Sequence, residues 1–396
     1  MGKILINYLT KFSTTSEYEN ATLELPNVSL IEDDMEVKYS PYVRDYSKEY
    51  FTTVALENGT ISFDYWPTLS TTSARYMEYS TDSGETWTMT NNIDNQSVTI
   101  TVNVSDGDVI LWRGDNDVLG FYDEYDCEAN VGSFFSSTCE FNVSGNVMSL
   151  LYTDNFANET DLTGKDIVFC NLFSDYNGNK ECLVTDAANL ILPATTLAIW
   201  CYYNMFCNCT SLTTPPELPA TTLADHCYSF MFKGCTSLTT APELPATTVA
   251  GSCYGSMFRD CTSLTTAPVL PATTLGTWCY AAMFYGCTSI TTAPELPATT
   301  LANDCYRSMF YRCTNLTTAP ELPATTLTSY CYNAMFQGCT SLNYIKMLAT
   351  NISATNCLQN WVSGVASTGT FVKNSAATWT TTGVNGIPTG WTVETA

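Results

Sequence analysis

Residues 218–243 read Leu218-Pro219-Ala220-Thr221-Thr222-Leu223-Ala224-Asp225-His226-Cys227-Tyr228-Ser229-Phe230-Met231-Phe232-Lys233-Gly234-Cys235-Thr236-Ser237-Leu238-Thr239-Thr240-Ala241-Pro242-Glu243, and nearly the same wording returns every 26 residues. One cysteine series falls at 201, 227, 253, 279, 305, 331 and 357, a second at 209, 235, 261, 287, 313 and 339. Six clear copies run from Leu192 to Met347. A degraded copy precedes them, with Leu172-Phe173 in the place of Met205-Phe206 and Cys182 in the place of Cys209 after a six-residue insertion. Another copy comes after them, with Cys357-Leu358 and Trp361. A unit this short cannot bury a core alone. Its apolar face must be covered by its neighbours, which makes the array a solenoid.

Within one copy, Leu212-Thr213-Thr214 is a short extended segment. Pro216 and Pro219 end it, because proline has no N–H for a ladder. Thr221 or Thr222 is placed to cap a short helix after it. Leu223, Cys227, Met231 and Cys235 then recur every four residues, a spacing that predicts one buried helical face. The expected coil is therefore a short strand plus a short helix, and six to eight coils would make a rod of roughly 30–40 Å.

This wording resembles the BspA-like leucine-rich repeat, whose unit carries A-F-x2-C-x2-L-x2-I before a proline-ended strand. Met231-Phe232-x2-Cys235-x2-Leu238 takes that place here, in a slightly longer unit. The resemblance covers about residues 167–360 and implies a leucine-rich solenoid, a fold of surface and binding proteins. The T-T-x-P-x-L-P-A-T-T phrase, and the opening from Leu25-Pro26-Asn27-Val28 to Ser40-Pro41-Tyr42, also resemble proteins of gut Bacteroidales and their crAss-like phages.

The whole chain has 396 residues and a formal charge of −24. Residues 1–192 hold 31 acidic and 9 basic residues, net −22, and residues 193–396 hold 8 and 6, net −2. Halves so different in charge point to different domains. The balance argues against nucleic acid and against an anionic membrane face, since both require clustered positive charge. No apolar run reaches the roughly 18–20 residues of a membrane span. At the start, Asn7 and Lys11 interrupt any secretory-type apolar stretch, so the chain is expected to fold in a reducing cytosol.

Residues 1–46 read as a docking arm and 47–148 as an antiparallel β-sandwich. In the latter, Phe51–Leu56, Val98–Val102 and Val109–Trp112 are short β-type runs. Asn58-Gly59, Asp82-Ser83-Gly84 and Asp106-Gly107-Asp108 are turn signals between them. Residues 149–191 are a lead-in with the degraded repeat, 192–361 the leucine-rich-repeat solenoid, and 362–396 a β-rich C-terminal cap carrying Phe371, Trp379 and Trp391. The expected fold class is thus β-rich and multidomain.

His226 is the only histidine, which nearly excludes a Ser-His-Asp triad or a multi-histidine metal site. The 18 cysteines admit three readings. The C-x7-C spacing is unlike the C-x2-C pairs zinc favours. Neighbours in one column would lie about 5 Å apart, within reach of a disulfide. Continuous columns have no preferred pairing, however, and cysteine also packs as a small hydrophobe. Buried free thiols are the leading reading, then some disulfides, then metal. Cys207 is off-register and expected to be exposed. Cys127 and Cys139 would pair only in an oxidising setting. The stretch from Asp115-Asn116-Asp117 to Asp123-Glu124-Tyr125-Asp126 offers oxygen ligands for calcium, against the plainer reading of a solvated acidic loop. Glu217, Glu243, Glu295 and Glu321 share one repeat position, so they form an exposed column rather than a glycosidase pair.

The positions that vary between copies are more telling. Before the first cysteine stand Trp200, His226, Ser252, Trp278, Asp304 and Tyr330; after Met-Phe stand Cys207, Lys233, Arg259, Tyr285, Tyr311 and Gln337. Trp200, Trp278, Tyr285, Tyr311 and Tyr330 are the candidate binding residues, as aromatics that could stack on sugar rings or anchor a protein. The alternative is unselected surface variation. The function expected is a phage virion structural protein, on the head or tail surface, whose solenoid attaches to a host-surface or mucosal glycan or protein. Its N-terminal half would contact other virion proteins, and a homo-oligomer is expected. A bacterial cell-surface adhesin is the alternative and a glycan-active enzyme the remote one. No catalytic residue, metal or cofactor is expected.

Overall fold

The computed structural model describes residues 45–65, 76–91, 98–117, 119, 133–174 and 181–396. Nearly all of the expected docking arm and of the acidic stretch after Asp117, together with Cys127, lie outside the described residues. Residues 46–396 form one compact unit.

The N-terminal part is built from β1 (Phe51–Ala55), β2 (Gly59–Tyr65), β3 (Tyr76–Ser80), β4 (Thr88–Asn91), β5 (Val98–Val104), β6 (Val109–Asp115), β7 (Phe134–Ser137) and β8 (Phe141–Asn146). The helix α1 (Ser149–Tyr152) and β9 (Val184–Ile191) come next in the chain. One sheet runs β4-β3-β6-β1-β8-β9 and the other β5-β2-β7. β5 shows why: its burial alternates along the strand, with Ile100, Val102 and Val104 inward and Thr99, Thr101 and Asn103 outward. The sheets share a core of aromatic rings. Phe135 of β7 lies 5.2 Å from both Phe51 of β1 and Trp112 of β6, and Phe63 of β2 lies 6.2 Å from Trp112.

β9 joins the two parts. It pairs parallel with β8, and its Asp186 bridges to Thr214, so it is the last strand of the sheet and a rung of the solenoid. Phe173 packs against Phe51 and Phe135 on one side and stacks on Phe206 at 4.7 Å on the other. The core is therefore continuous from the sheets into the repeats.

Two series of bridges, mostly on threonine, run along the coils. One runs through Thr240↔Thr266 and Thr292↔Thr318 into a four-stranded parallel sheet of β12 (Thr318–Leu322), β13 (Tyr344–Met347), β14 (Thr370–Lys373) and β15 (Thr392–Thr395). The other includes Thr196↔Thr222, Thr326↔Asn351 and the pair β10 (Thr248–Val249) and β11 (Thr274–Leu275). Residues 362–396 thus add further parallel rungs. Trp361, Trp379 and Trp391 cover that end, and each indole N–H donates to a backbone carbonyl, of Gly386, Ala349 and Ala366.

The third side is where the expectation of a helix fails. From Trp200 to Cys209 no i→i−4 bond forms. Alternate amides turn back by three residues: Tyr203 N–H to Trp200 O, Met205 to Tyr202, Cys207 to Asn204. The amides between them donate to the next coil: Tyr202 N–H to Cys227 O, Asn204 to Ser229, Phe206 to Met231, Asn208 to Lys233. Every fourth residue is left-handed, with φ of 54° at Trp200, 56° at Asn204 and 63° at Asn208, where a helix keeps φ near −63°. The segment is a chain of turns. The physical reason lies in the period. A helical face drifts by roughly 40° over four residues, whereas this chain repeats its buried pair every four without drift, and it gives half its amides to its neighbour.

That geometry builds two ring columns. Tyr202, Tyr228, Tyr254, Tyr280, Tyr306 and Tyr332 stack at 5.6–6.1 Å, and Phe206, Phe232, Phe258, Phe284, Phe310 and Phe336 at 5.6–5.8 Å. The second cysteine column has a specific partner: Cys235 Sγ donates to Phe206 O at 3.0 Å, and Cys261, Cys287, Cys313 and Cys339 do the same one coil on each time. Every cysteine among the described residues is a free thiol. Burial pushes Cys227, Cys279, Cys331 and Cys339 up to about 12. Cys207 is buried as well, contrary to its off-register reading.

Candidate functional site

On the turn side, the buried Cys-Tyr and Met-Phe pairs alternate with positions that differ from coil to coil. The residue before the first cysteine is left-handed in every copy, with φ between 49° and 61° from Trp200 to Asn356. That conformation costs about 1–2 kcal/mol for a residue with a Cβ, and it is held by the amide bonds to the next coil. The result is a row of side chains of free identity on a fixed backbone.

The structure brings four of the five candidate aromatics into two clusters. In the first, Asp304 occupies the slot between Trp278 and Tyr330, and Arg307 fills the gap that so short a side chain leaves. Its guanidinium lies 4.9 Å from the Trp278 ring centre and 5.6 Å from that of Tyr330. Asp304 holds it at 3.2 Å from a carboxylate that is 11% exposed. Asn356 Nδ2 donates to the Tyr330 hydroxyl at 2.8 Å. Trp278 remains 40% exposed.

In the second cluster, Arg259, Tyr285 and Tyr311 occupy one column in consecutive coils. Tyr285 and Tyr311 stack at 4.5 Å and 3°. The Arg259 guanidinium lies 4.4 Å over Tyr285 and its Nε is 3.3 Å from Asp260. Arg312 adds a guanidinium 5.4 Å from Tyr311. Trp200 joins neither cluster. It lies three coils before Trp278, beside His226 at 5.7 Å. Burial lowers the His226 pKa, opposed by the neighbouring Asp225.

Arg307, Arg312 and Asn356 were not among the candidates, although a signal for them existed. Arg259, Arg307 and Arg312 are the only arginines after Arg113, and all three fall on this side. A finer pattern accompanies them. The residue before the second cysteine reads Asn208, Gly234, Asp260, Gly286, Arg312, Gly338, a 52-residue alternation inside the 26-residue repeat. Each polar side chain leans over the glycine of the next coil. A Cβ on Gly234 would run into Asn208, one on Gly286 into Asp260, and one on Gly338 would sit 3.1 Å from Arg312 Cγ.

Cavities open on other sides. One of about 300 Å³ lies among Pro242, Glu243, Pro245, Pro268, Val269 and Pro271, where Val269 interrupts the glutamate column at 76% exposure. Another of about 190 Å³ lies beside Tyr46, Ile191 and Glu217. Asn116, counted among the oxygen-rich residues, is instead buried and bonded to Tyr65, Tyr76 and Leu150. Among the described residues no group of three His, Cys, Asp or Glu is placed to hold a metal ion, and no helix is long and apolar enough to cross a membrane. No family model, curated protein or solved structure matches the chain.

Proposed function

We propose that this chain is a structural and binding protein of a phage virion, in which the N-terminal half fixes the molecule to the particle and the solenoid presents its turn side to a host-surface or mucosal ligand. The observation that carries the binding part is the confinement of sequence variation. Tyr228, Phe232 and their counterparts keep one identity and stack on the coils before and after, while the positions of Trp278, Arg307, Tyr285 and Arg312 change identity from coil to coil on the same backbone. Rigid scaffolds with variable exposed side chains are the usual design of a recognition surface. The Met-Phe-x2-Cys-x2-Leu wording supports a BspA-like leucine-rich-repeat relation, and the shared phrasing with phage proteins supports the virion setting.

A binder fits the array better than a catalyst. Glu217, Glu243, Glu295 and Glu321 are exposed one per coil between the threonine rungs, and glycoside hydrolysis requires two carboxyl groups converging on one bond. The test is direct. Mass spectrometry of purified particles should find the chain in stoichiometric amounts, and purified full-length protein should block adsorption of the particle to its host. Particles without the chain would end the virion reading. Secretion of the chain to a bacterial surface would favour the adhesin instead.

A further inference from the structure

We infer that the ligand of the turn side is an acidic linear polysaccharide, one bearing carboxylate or sulfate groups, rather than a neutral sugar held by ring stacking; this rests on the turn side being the recognition surface. The candidate aromatics were singled out for the faces they could offer. In the folded chain several of those faces are already used. Tyr285 has the Arg259 guanidinium on one face and Tyr311 on the other. Trp278 and Tyr330 share Arg307 between them. Beside the rings stand the guanidinium groups of Arg259, Arg307 and Arg312. Ring edges carry the positive part of the aromatic quadrupole, and guanidinium forks match carboxylate and sulfate oxygens. The surface is rich in donors.

Its charge is arranged to the same end. Asp260 and Asp304 are each tied to an arginine of this surface, at 3.3 and 3.2 Å. Arg312 is exposed, with no ion pair among the described residues. The −22 of residues 1–192 does not cancel this locally, because charges more than about 8 Å away are screened at physiological salt. Arg259 and Arg312 stand two coils apart, about 10 Å along the rod, in neighbouring columns: two coils on from Arg259 is Tyr311, and Arg312 takes the place that Asp260 holds two coils earlier. An extended polymer can set one acidic group against each of these two arginines. A folded protein partner would want a pocket for an anchor side chain, and the cavities near Val269 and Tyr46 lie on other sides.

The experiment uses the full-length chain and immobilised polymers in matched pairs: polygalacturonate against its methyl ester, and dextran sulfate against dextran. Binding to at least one acidic member, absent for its neutral partner and weakened by salt, is expected; which member binds tells carboxylate from sulfate. The double variant Arg259→Gln/Arg312→Gln should lose roughly tenfold or more, and Lys346→Gln, on the threonine rung, should lose nothing. Equal binding to neutral and acidic members, indifference to the arginine change, or equally tight binding of polyglutamate would overturn the inference. Adsorption to host cells separates the two readings. If Trp278→Ala reduces adsorption while no acidic polymer binds, the turn side stands and the acidic-polysaccharide assignment falls.

Discussion

In the N-terminal sheets the polar side chains that define the fold are inside. Asn116 is 3% exposed and bonded to Tyr65, Tyr76 and Leu150. Trp112 Nε1 donates to Thr53 Oγ1 at 3.0 Å, and Arg113 is held between Glu78 and Asp154 over the Trp87 ring. In the solenoid the corresponding specificity is outside. The interior of a middle coil is Cys, Tyr, Met, Phe, Cys and Leu, copied six times, and the recurrent polar side-chain contact in it is the thiol on a phenylalanine carbonyl. The sheets use side-chain variety to make one arrangement unique. The solenoid obtains uniqueness from backbone rungs, which leaves its variety for the surface.

The comparison breaks most visibly at alkaline pH. Buried thiols whose folded pKa is raised stabilise the fold below their unfolded pKa, and that stability is lost as pH climbs through the folded value. For Cys227, Cys279, Cys331 and Cys339 the window runs from the ordinary 9.0 to about 12. Each such thiol removes about 1.4 kcal/mol per pH unit above 9, so these four together remove roughly 6 kcal/mol per unit, the order of the roughly 5–15 kcal/mol of a typical domain. Amide exchange should show the solenoid opening between pH 9 and 11 while the sheets, with Cys139 alone among their described cysteines, keep their protection. Loss of both together would contradict the division.

Next in size is a cavity in the phenylalanine column. Phe258→Ala should cost about 3–5 kcal/mol. Because each coil contacts only its neighbours, the loss of exchange protection should centre on coils 227–287 and leave β1 and β6 protected. Asn116→Ala should cost about 2–3 kcal/mol by removing a buried acceptor of the Tyr65 hydroxyl and a buried donor to the Leu150 carbonyl, and it should melt the sheets as a unit. If the Phe258 lesion unfolds the whole chain in one step, the solenoid is not modular.

The smallest effect has the opposite sign. The hydroxyls of Tyr202, Tyr228 and Tyr306 are buried with no hydrogen-bond partner in the protein. Tyr228→Phe should therefore be neutral or stabilising by up to about 1 kcal/mol, measured as a rise in Tm. A clear destabilisation would mean that this hydroxyl is satisfied and that the tyrosine column differs from the phenylalanine column by more than shape.

The 26-residue cysteine spacing alone was enough to announce a solenoid, and the strands at Phe51, Val98 and Val109 stood out from their β-branched and aromatic runs. The turn side departs from the expected helix because Leu223, Cys227, Met231 and Cys235 recur at four, which as apolar letters matches a helical stripe although over these thirteen residues a true helix would carry that stripe round by roughly 120°. The one local hint was glycine or asparagine at 208, 234, 286 and 338, residue types suited to the left-handed conformation. The candidate aromatics were visible as varying letters, but their mutual stacking was not. It depends on which side chains one coil apart lie in the same column, and on Asp304 being short enough to admit Arg307.

The central claim is that recognition belongs to the turn side and not to the glutamate column. Full-length chain should be compared with two variants for adsorption to host cells, with thermal melts alongside: Trp278→Ala/Tyr311→Ala on the turn side, and Glu243→Ala/Val269→Ala beside the proline-lined cavity. The account predicts that the first loses about 5–30-fold in affinity, corresponding to roughly 1–2 kcal/mol, while the second binds as the parent does and both melt within a few degrees of it. Unchanged binding by the first variant, or loss confined to the second, would contradict it.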